Sequence, residues 1–125
     1  MNVTKITEAE ILKITAELHS WKSPGVDKVH NFWYKKLTIF HKAIAKSLTD
    51  IIFKKQNIPN FMATGITYMI PKGKFSPDPA QYRPITCLPT IYKILTSVIT
   101  FKITTHIEKY NIVAEEQIFH NYLNF

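Results

Sequence analysis

Between Gly65 and Lys109 the chain changes its periodicity twice, and the residues that punctuate those changes leave few ways to fold it. Gly65-Ile-Thr-Tyr-Met-Ile70 alternates with β-branched and aromatic residues in the manner of a strand. Pro71 to Gln81 carries Gly73, Pro77 and Pro79, which predicts an exposed, mobile connection. Tyr82 to Leu88 then returns as the partner strand. Pro84 has no N–H for a sheet ladder, so it should sit at an edge or with its nitrogen facing away from the neighbouring strand. Pro89 suits a first helical turn, and a helix is predicted from there to about Lys109. Its Ile91, Ile94, Leu95, Val98, Ile99, Phe101, Ile103 and Ile107 surround most of the circumference. A helix of that kind needs cover on more than one side, so part of the protein that covers it is expected to lie outside this chain.

The segment before the hairpin reads as helical. Thr7-Glu8-Ala9-Glu10 is a capping box, in which the Thr7 hydroxyl accepts from the Glu10 N–H and the Glu10 carboxylate reaches back. Ile11, Ile14, Leu18 and Trp21 follow as one narrow apolar stripe, which Ser23-Pro24-Gly25 should end. Val29 to Leu37, with Phe32, Trp33 and Tyr34, predicts a short buried helix. A longer one is predicted over about Phe40 to Lys55. Phe40, Ala43, Ile44, Leu48, Ile51 and Ile52 form its apolar face, and Lys42, Lys46, Asp50 and Lys54 form the other. The fold class is therefore α+β and mostly helical, with one β-hairpin, in a single unit spanning residues 1–125.

Composition narrows the function classes. The +7 formal charge comes from 16 basic and 9 acidic residues, and Lys22 through Lys74 holds ten lysines against Asp27 and Asp50 alone. A basic middle of this kind suits an anionic partner such as nucleic acid or a phosphate-bearing substrate. The simpler reading of the helix lysines is a solvated face. Cys87, the single cysteine, excludes an internal disulfide and reads as a small buried apolar residue beside the hairpin. No apolar run approaches the roughly 18 residues of a membrane span, and the N-terminus has no secretory pattern, so an intracellular protein is expected. The Asn2-Val3-Thr4 sequon then carries no meaning.

Candidate chemistry is sparse. Asp27, Asp50 and Asp78 are the only aspartates and have no metal-site spacing, and the five histidines form no pair on one helix face. No serine or cysteine has a local base. Gly73-Lys74-Phe75-Ser76 has a partial likeness to a phosphate-binding loop, but the earlier glycine is replaced by Tyr68 and the hydroxyl comes one residue late. Neither catalytic residues nor a metal site are assigned. What remains is Lys72 near one strand end and Arg83, the only arginine, on the return strand. Taken alone, these are solvated ends of an edge hairpin.

Ile70-Pro-Lys-Gly-Lys-Phe-Ser-Pro-Asp-Pro-Ala-Gln-Tyr-Arg-Pro-Ile85, followed by Tyr92-Lys-Ile-Leu95, resembles the fingers hairpin of reverse transcriptases encoded by non-LTR retrotransposons. Lys72, Tyr82, Arg83, Pro84, Ile85, Tyr92 and Lys93 fall in its register. Trp21-Lys-Ser-Pro-Gly-Val-Asp27 is similar to the loop upstream of those fingers, and His30 to Lys36 to the aromatic helix after it. Ile107 to Gln117 resembles the end of the following helix and the start of the next motif. Beyond Gln117 the family continues into a Gly- or Cys-containing, Arg-rich turn, whereas this chain reads Ile118-Phe-His-Asn-Tyr-Leu-Asn-Phe125. That departure implies a frameshift, a misassigned exon or a decayed element.

The resemblance implies a partial reverse transcriptase domain, the fingers and the start of the palm of a right-hand RNA-directed DNA polymerase. Lys72 and Arg83 would contact the phosphates of the incoming nucleotide, with Arg83 able to hold two oxygens at once, and Lys74 and Tyr82 would neutralise or pack nearby. It further implies an RNA template, a DNA primer and a deoxynucleoside triphosphate as partners, the missing palm as a further one, and Mg²⁺ in the intact enzyme. The family's metal-binding aspartates lie downstream, so this chain is expected to be inactive alone. Two readings from other classes are a non-catalytic basic nucleic-acid-binding module and a helical protein-interaction module.

Overall fold

A computed structural model describes residues 5–54 and 56–112 of the chain. The sequon, Lys55 and the departure from the family pattern after Gln117 lie outside the described residues.

Helix α1, Glu8–Glu17, starts at the predicted capping box: the Glu10 N–H donates to Thr7 Oγ1 at 3.3 Å and the Thr7 N–H to Glu10 Oε2 at 2.8 Å. Its buried face is Ile11 and Thr15, and Thr15 is satisfied by donating back to the Ile11 carbonyl at 2.9 Å. The helix stops before the stripe does. Leu18 is extended, and Trp21 is 73% exposed. Three long-range bonds take the carbonyls there: Lys35 Nζ donates to Leu18 O, Asn31 Nδ2 to His19 O and the Phe32 N–H to Ser20 O. Tertiary donors have replaced the helical ladder.

Helix α2, Asn31–Lys36, corrects the expectation of a buried aromatic helix. The buried side chain is Asn31; Phe32 and Tyr34 are half-buried, and Trp33 is exposed. Asn31 bridges the His19 carbonyl at 2.7 Å and the Thr90 hydroxyl, which donates to its Oδ1 at 2.6 Å. A 3-10 turn at Thr38–Phe40 leads into α3, His41–Phe53. The inner face of α3 carries four of the predicted residues, with Leu48 in the core and Ile44, Ile51 and Ile52 packed against it; His41 and Ala45 are buried too, whereas Phe40 and Ala43 face water. His41 Nε2 lies 2.6 Å from the Tyr34 carbonyl, which holds this polar first residue of the helix inward. Lys42 and Lys46 are exposed as expected, and Lys54 pairs with Asp50 at 2.9 Å.

A one-turn helix, α4 (Asn60–Ala63), which the sequence did not signal, sinks Met62 into the core. Strands β1, Ile66–Pro71, and β2, Tyr82–Cys87, form one antiparallel hairpin. Helix α5, Thr90–Tyr110, follows and ends at Asn111 in the left-handed conformation, φ 49°. The core joins Ile6, Ile11, Ala45, Leu48 and Met62 to Ile94, Leu95 and Val98 of the first half of α5. Farther along, Ile99, Phe101 and Ile103 are exposed, which is the uncovered apolar surface the sequence predicted. Lys102 and Glu10 join α5 to α1 at 2.9 Å. Burial is the largest single influence on the Glu10 carboxyl and pushes its pKa up, but the Thr7 N–H and the Lys102 ammonium together hold it below its ordinary value. No described helix is long and apolar enough to cross a membrane.

Candidate functional site

The hairpin is built so that its two ends differ. At its base, Gly25 of the loop between α1 and α2 presses on the junction of β2 with α5. A Cβ at Gly25 would lie 2.3 Å from Pro89 N and 2.7 Å from Leu88 C. The glycine of the Ser-Pro-Gly turn is required by this close approach. Toward the tip no helix covers the ribbon, and most residues from Thr67 to Ile70 and from Arg83 to Thr86 are exposed. Cys87, across from Ile66, is half-buried.

Register decides which side chains meet. The Lys72 N–H donates to the Gln81 carbonyl at 2.8 Å, which continues the ladder one step past the pair Pro71↔Tyr82. Hydrogen-bonded and non-hydrogen-bonded pairs alternate in an antiparallel ribbon, so Ile70↔Arg83 is bonded and Met69↔Pro84 is not. The Pro84 nitrogen therefore faces outward, one of the two placements the sequence allowed. Pro71 falls in the same class on the other strand, and each outer edge thus lacks a donor that a further strand would need.

Because cross-strand partners share a face, Ile66, Tyr68, Ile70 and Lys72 lie on one side with Gln81, Arg83, Ile85 and Cys87. Lys72 and Arg83 are diagonal neighbours there, with backbones about 7–8 Å apart. Lys72 Nζ donates to the Ala80 carbonyl at 2.8 Å, which steadies the ammonium and leaves two of its three donors unspent. Arg83 is exposed and has no side-chain partner among the described residues. Lys74 is exposed in the loop. Tyr82 falls on the opposite face, where its hydroxyl donates to the Ser76 carbonyl at 2.8 Å and Phe75 meets its ring edge-on. Of the four residues, the fold unites Lys72 and Arg83 and assigns Tyr82 to bracing the loop.

That loop is exposed but internally tied. Asp78 Oδ1 accepts from the Ala80 N–H at 3.0 Å, Ser76 Oγ from the Asp78 N–H at 3.2 Å, and the Asp78 carbonyl from the Gln81 N–H. Gly73 has open space around it and no positive φ, so nothing in the backbone demands glycine there.

Among the described residues no group of three or more acidic, histidine or cysteine side chains could hold a metal ion. Each aspartate is spent locally: Asp27 accepts from the Val29 N–H, Asp50 pairs with Lys54, and Asp78 caps the turn before β2. These residues do not fit a divalent-ion site. Sequence reasoning also missed Asn31, whose only signal was its place before an aromatic run.

The geometry defines a helical α+β segment with a projecting cation-bearing hairpin, and comparison with known proteins gives it a relative. No family model matches the chain. Over 118 residues, 94% of its length, it is 30% identical to a Drosophila melanogaster protein described as a probable RNA-directed DNA polymerase from transposon X-element. The chain spans 13% of that protein's length. That agrees with the resemblance to retrotransposon reverse transcriptases: the chain is similar to a segment of a transposon RNA-directed DNA polymerase.

Proposed function

We infer that the chain is the fingers segment of a retrotransposon RNA-directed DNA polymerase, and that its hairpin grips the phosphates of the incoming deoxynucleoside triphosphate. The observation that carries this reading is the shared face of Lys72 and Arg83 at the open end of the ribbon, with Arg83 unpaired. A guanidinium fork and an ammonium at that spacing suit a polyanion better than a single carboxylate, since each takes different oxygens. Lys74 adds charge to the same end, and Tyr82, through Ser76, keeps the loop from collapsing over it.

The template RNA and the primer DNA are the further partners of the intact enzyme. Mg²⁺, bound there, stabilises the attacking and leaving oxygens of nucleotidyl transfer. The aspartates of this segment are engaged elsewhere, so the ion's ligands belong to another part of the polymerase, and the segment alone does not extend a primer. The exposed Ile99, Phe101 and Ile103 on α5 are the surface on which the palm would rest.

Two measurements test this. Titration of the 125-residue chain with thymidine triphosphate, followed by amide chemical shifts, should move signals confined to 70–85, and Arg83→Ala should abolish the response. Shifts centred elsewhere, or a response indifferent to Arg83, refute the clamp. Primer extension by the chain with Mg²⁺ and all four nucleotides should give no product, and any processive product refutes the assignment as a segment.

A further inference from the structure

The loop after α1 holds a second feature that the hairpin does not use. Trp21 has little cover, at 73% exposure, yet its indole stacks on Phe32 with centroids 5.1 Å apart and planes 13° from parallel. Phe32 meets Trp33 edge-on at 5.3 Å, and the His30 ring tilts against Trp21 at 6.0 Å. The plate is anchored. The Phe32 N–H donates to Ser20 O, so the two stacked residues sit on backbone that is directly bonded, and Asn31 ties the same turn to Thr90 of α5. An aromatic ring held this way loses little conformational freedom when something lands on it.

Cations surround the plate in the chain. Lys22, Lys28 and Lys36 are exposed, and none has an ion pair among the described residues. Asp27, the one acid in the loop, has its Oδ1 on the Val29 N–H. A flat apolar face on a segment that also carries exposed, unpaired cations matches a nucleobase and its phosphate. An apolar protein surface would cover the ring but desolvate the lysines without a partner. A duplex hides its base faces in the stack, whereas a single strand offers them.

The geometry points to the Trp21–Phe32 plate as a stacking site for an unpaired base of a single-stranded nucleic acid, with the adjoining phosphates beside Lys22, Lys28 and Lys36. This site is separate from the hairpin face and does not depend on the nucleotide clamp.

The test uses the whole chain and a labelled uridine oligomer of about 12 nucleotides, with an abasic oligomer of the same length, followed by anisotropy from about 50 mM salt upward. Trp21→Ala should weaken binding of the uridine oligomer about 5- to 150-fold, while Trp21→Phe retains most of it. The unaltered protein should bind the abasic strand about as weakly as Trp21→Ala binds the uridine strand. Lys22→Ala should lower the slope of log affinity against log salt by about 0.7, and Trp21→Ala should leave that slope in place. Arg83→Ala should leave the ratio of uridine to abasic affinity unchanged, because that ratio reports the base and not the phosphates, so failure of the clamp and failure of the plate are told apart. Equal affinity for abasic and uridine strands overturns the proposal. So does a loss of the uridine preference in Arg83→Ala, self-association through the plate, or no strand binding at all. The abasic comparison uses unaltered protein and stands even if Trp21→Ala unfolds.

Discussion

Replacing Gly25 by alanine should damage this protein far more than a surface loop substitution ordinarily does. The added Cβ would lie 2.3 Å from Pro89 N and 2.7 Å from both Leu88 C and Pro89 Cα, all of them backbone atoms that no rotamer change can move. Non-bonded carbons settle at about 3.5–4.0 Å, so the loop and the β2–α5 junction must part by roughly 1 Å. Forced overpacking of that kind costs about 1–3 kcal/mol. The parting also strains the 2.6 Å bond from Thr90 to Asn31, and losing a buried partner there costs about 1–3 kcal/mol more. A total of about 2–6 kcal/mol is a large part of the roughly 5–15 kcal/mol by which domains are stable. In urea, with a slope of about 1–3 kcal/mol per molar, the Gly25→Ala midpoint should fall by at least about 0.7 M. Gly73→Ala is the control, because nothing lies within 4 Å of its Cβ position. It should be neutral, or stabilising by about 0.4–1 kcal/mol. Equal midpoints for Gly25→Ala and the unaltered protein would refute the close-approach argument.

Leu48, 1% exposed in the centre of the core, should cost about 2–5 kcal/mol when cut to alanine, measured by the same denaturation. Glu10 has a carboxyl held below its ordinary 4.5, so the folded state binds that proton less readily than the unfolded one. Its contribution is complete above pH 4.5 and disappears as pH falls through the lowered value, and Glu10→Gln should flatten the acid limb of the stability curve. Tyr34 is pushed up to about 12 from 10.0, by burial first and by the charge of Asp27 second. The stability linked to it is complete below pH 10 and is lost as pH rises toward 12, and Tyr34→Phe should remove the last tyrosinate absorbance step.

Features that depend on neighbours in the sequence were legible there. The capping box needs Thr7 and Glu10 three positions apart, and both appear where expected. The hairpin strands, the outward nitrogen of Pro84 and the onset of α5 near Pro89 follow from donors that proline lacks and from period-two alternation. The shared face of Lys72 and Arg83 needed the register, which hydrogen bonding across the loop supplies.

Other features were settled by residues far apart in the chain. A local stripe called for helix through Trp21, but Lys35, Asn31 and Phe32 captured the carbonyls that would have carried it. His41, reaching the Tyr34 carbonyl, buried a polar residue at the start of α3 that its apolar pattern did not signal. Gly25 looked like a turn former and proved to be a spacer against Pro89. Periodicity reports what one element would do in isolation, and it determined the number and kind of the main elements here. Where they stop, which polar side chains are buried and which aromatic ring is left in water were decided by tertiary structure. A buried donor or acceptor must be satisfied by whatever lies opposite, and only the assembled fold says what that is.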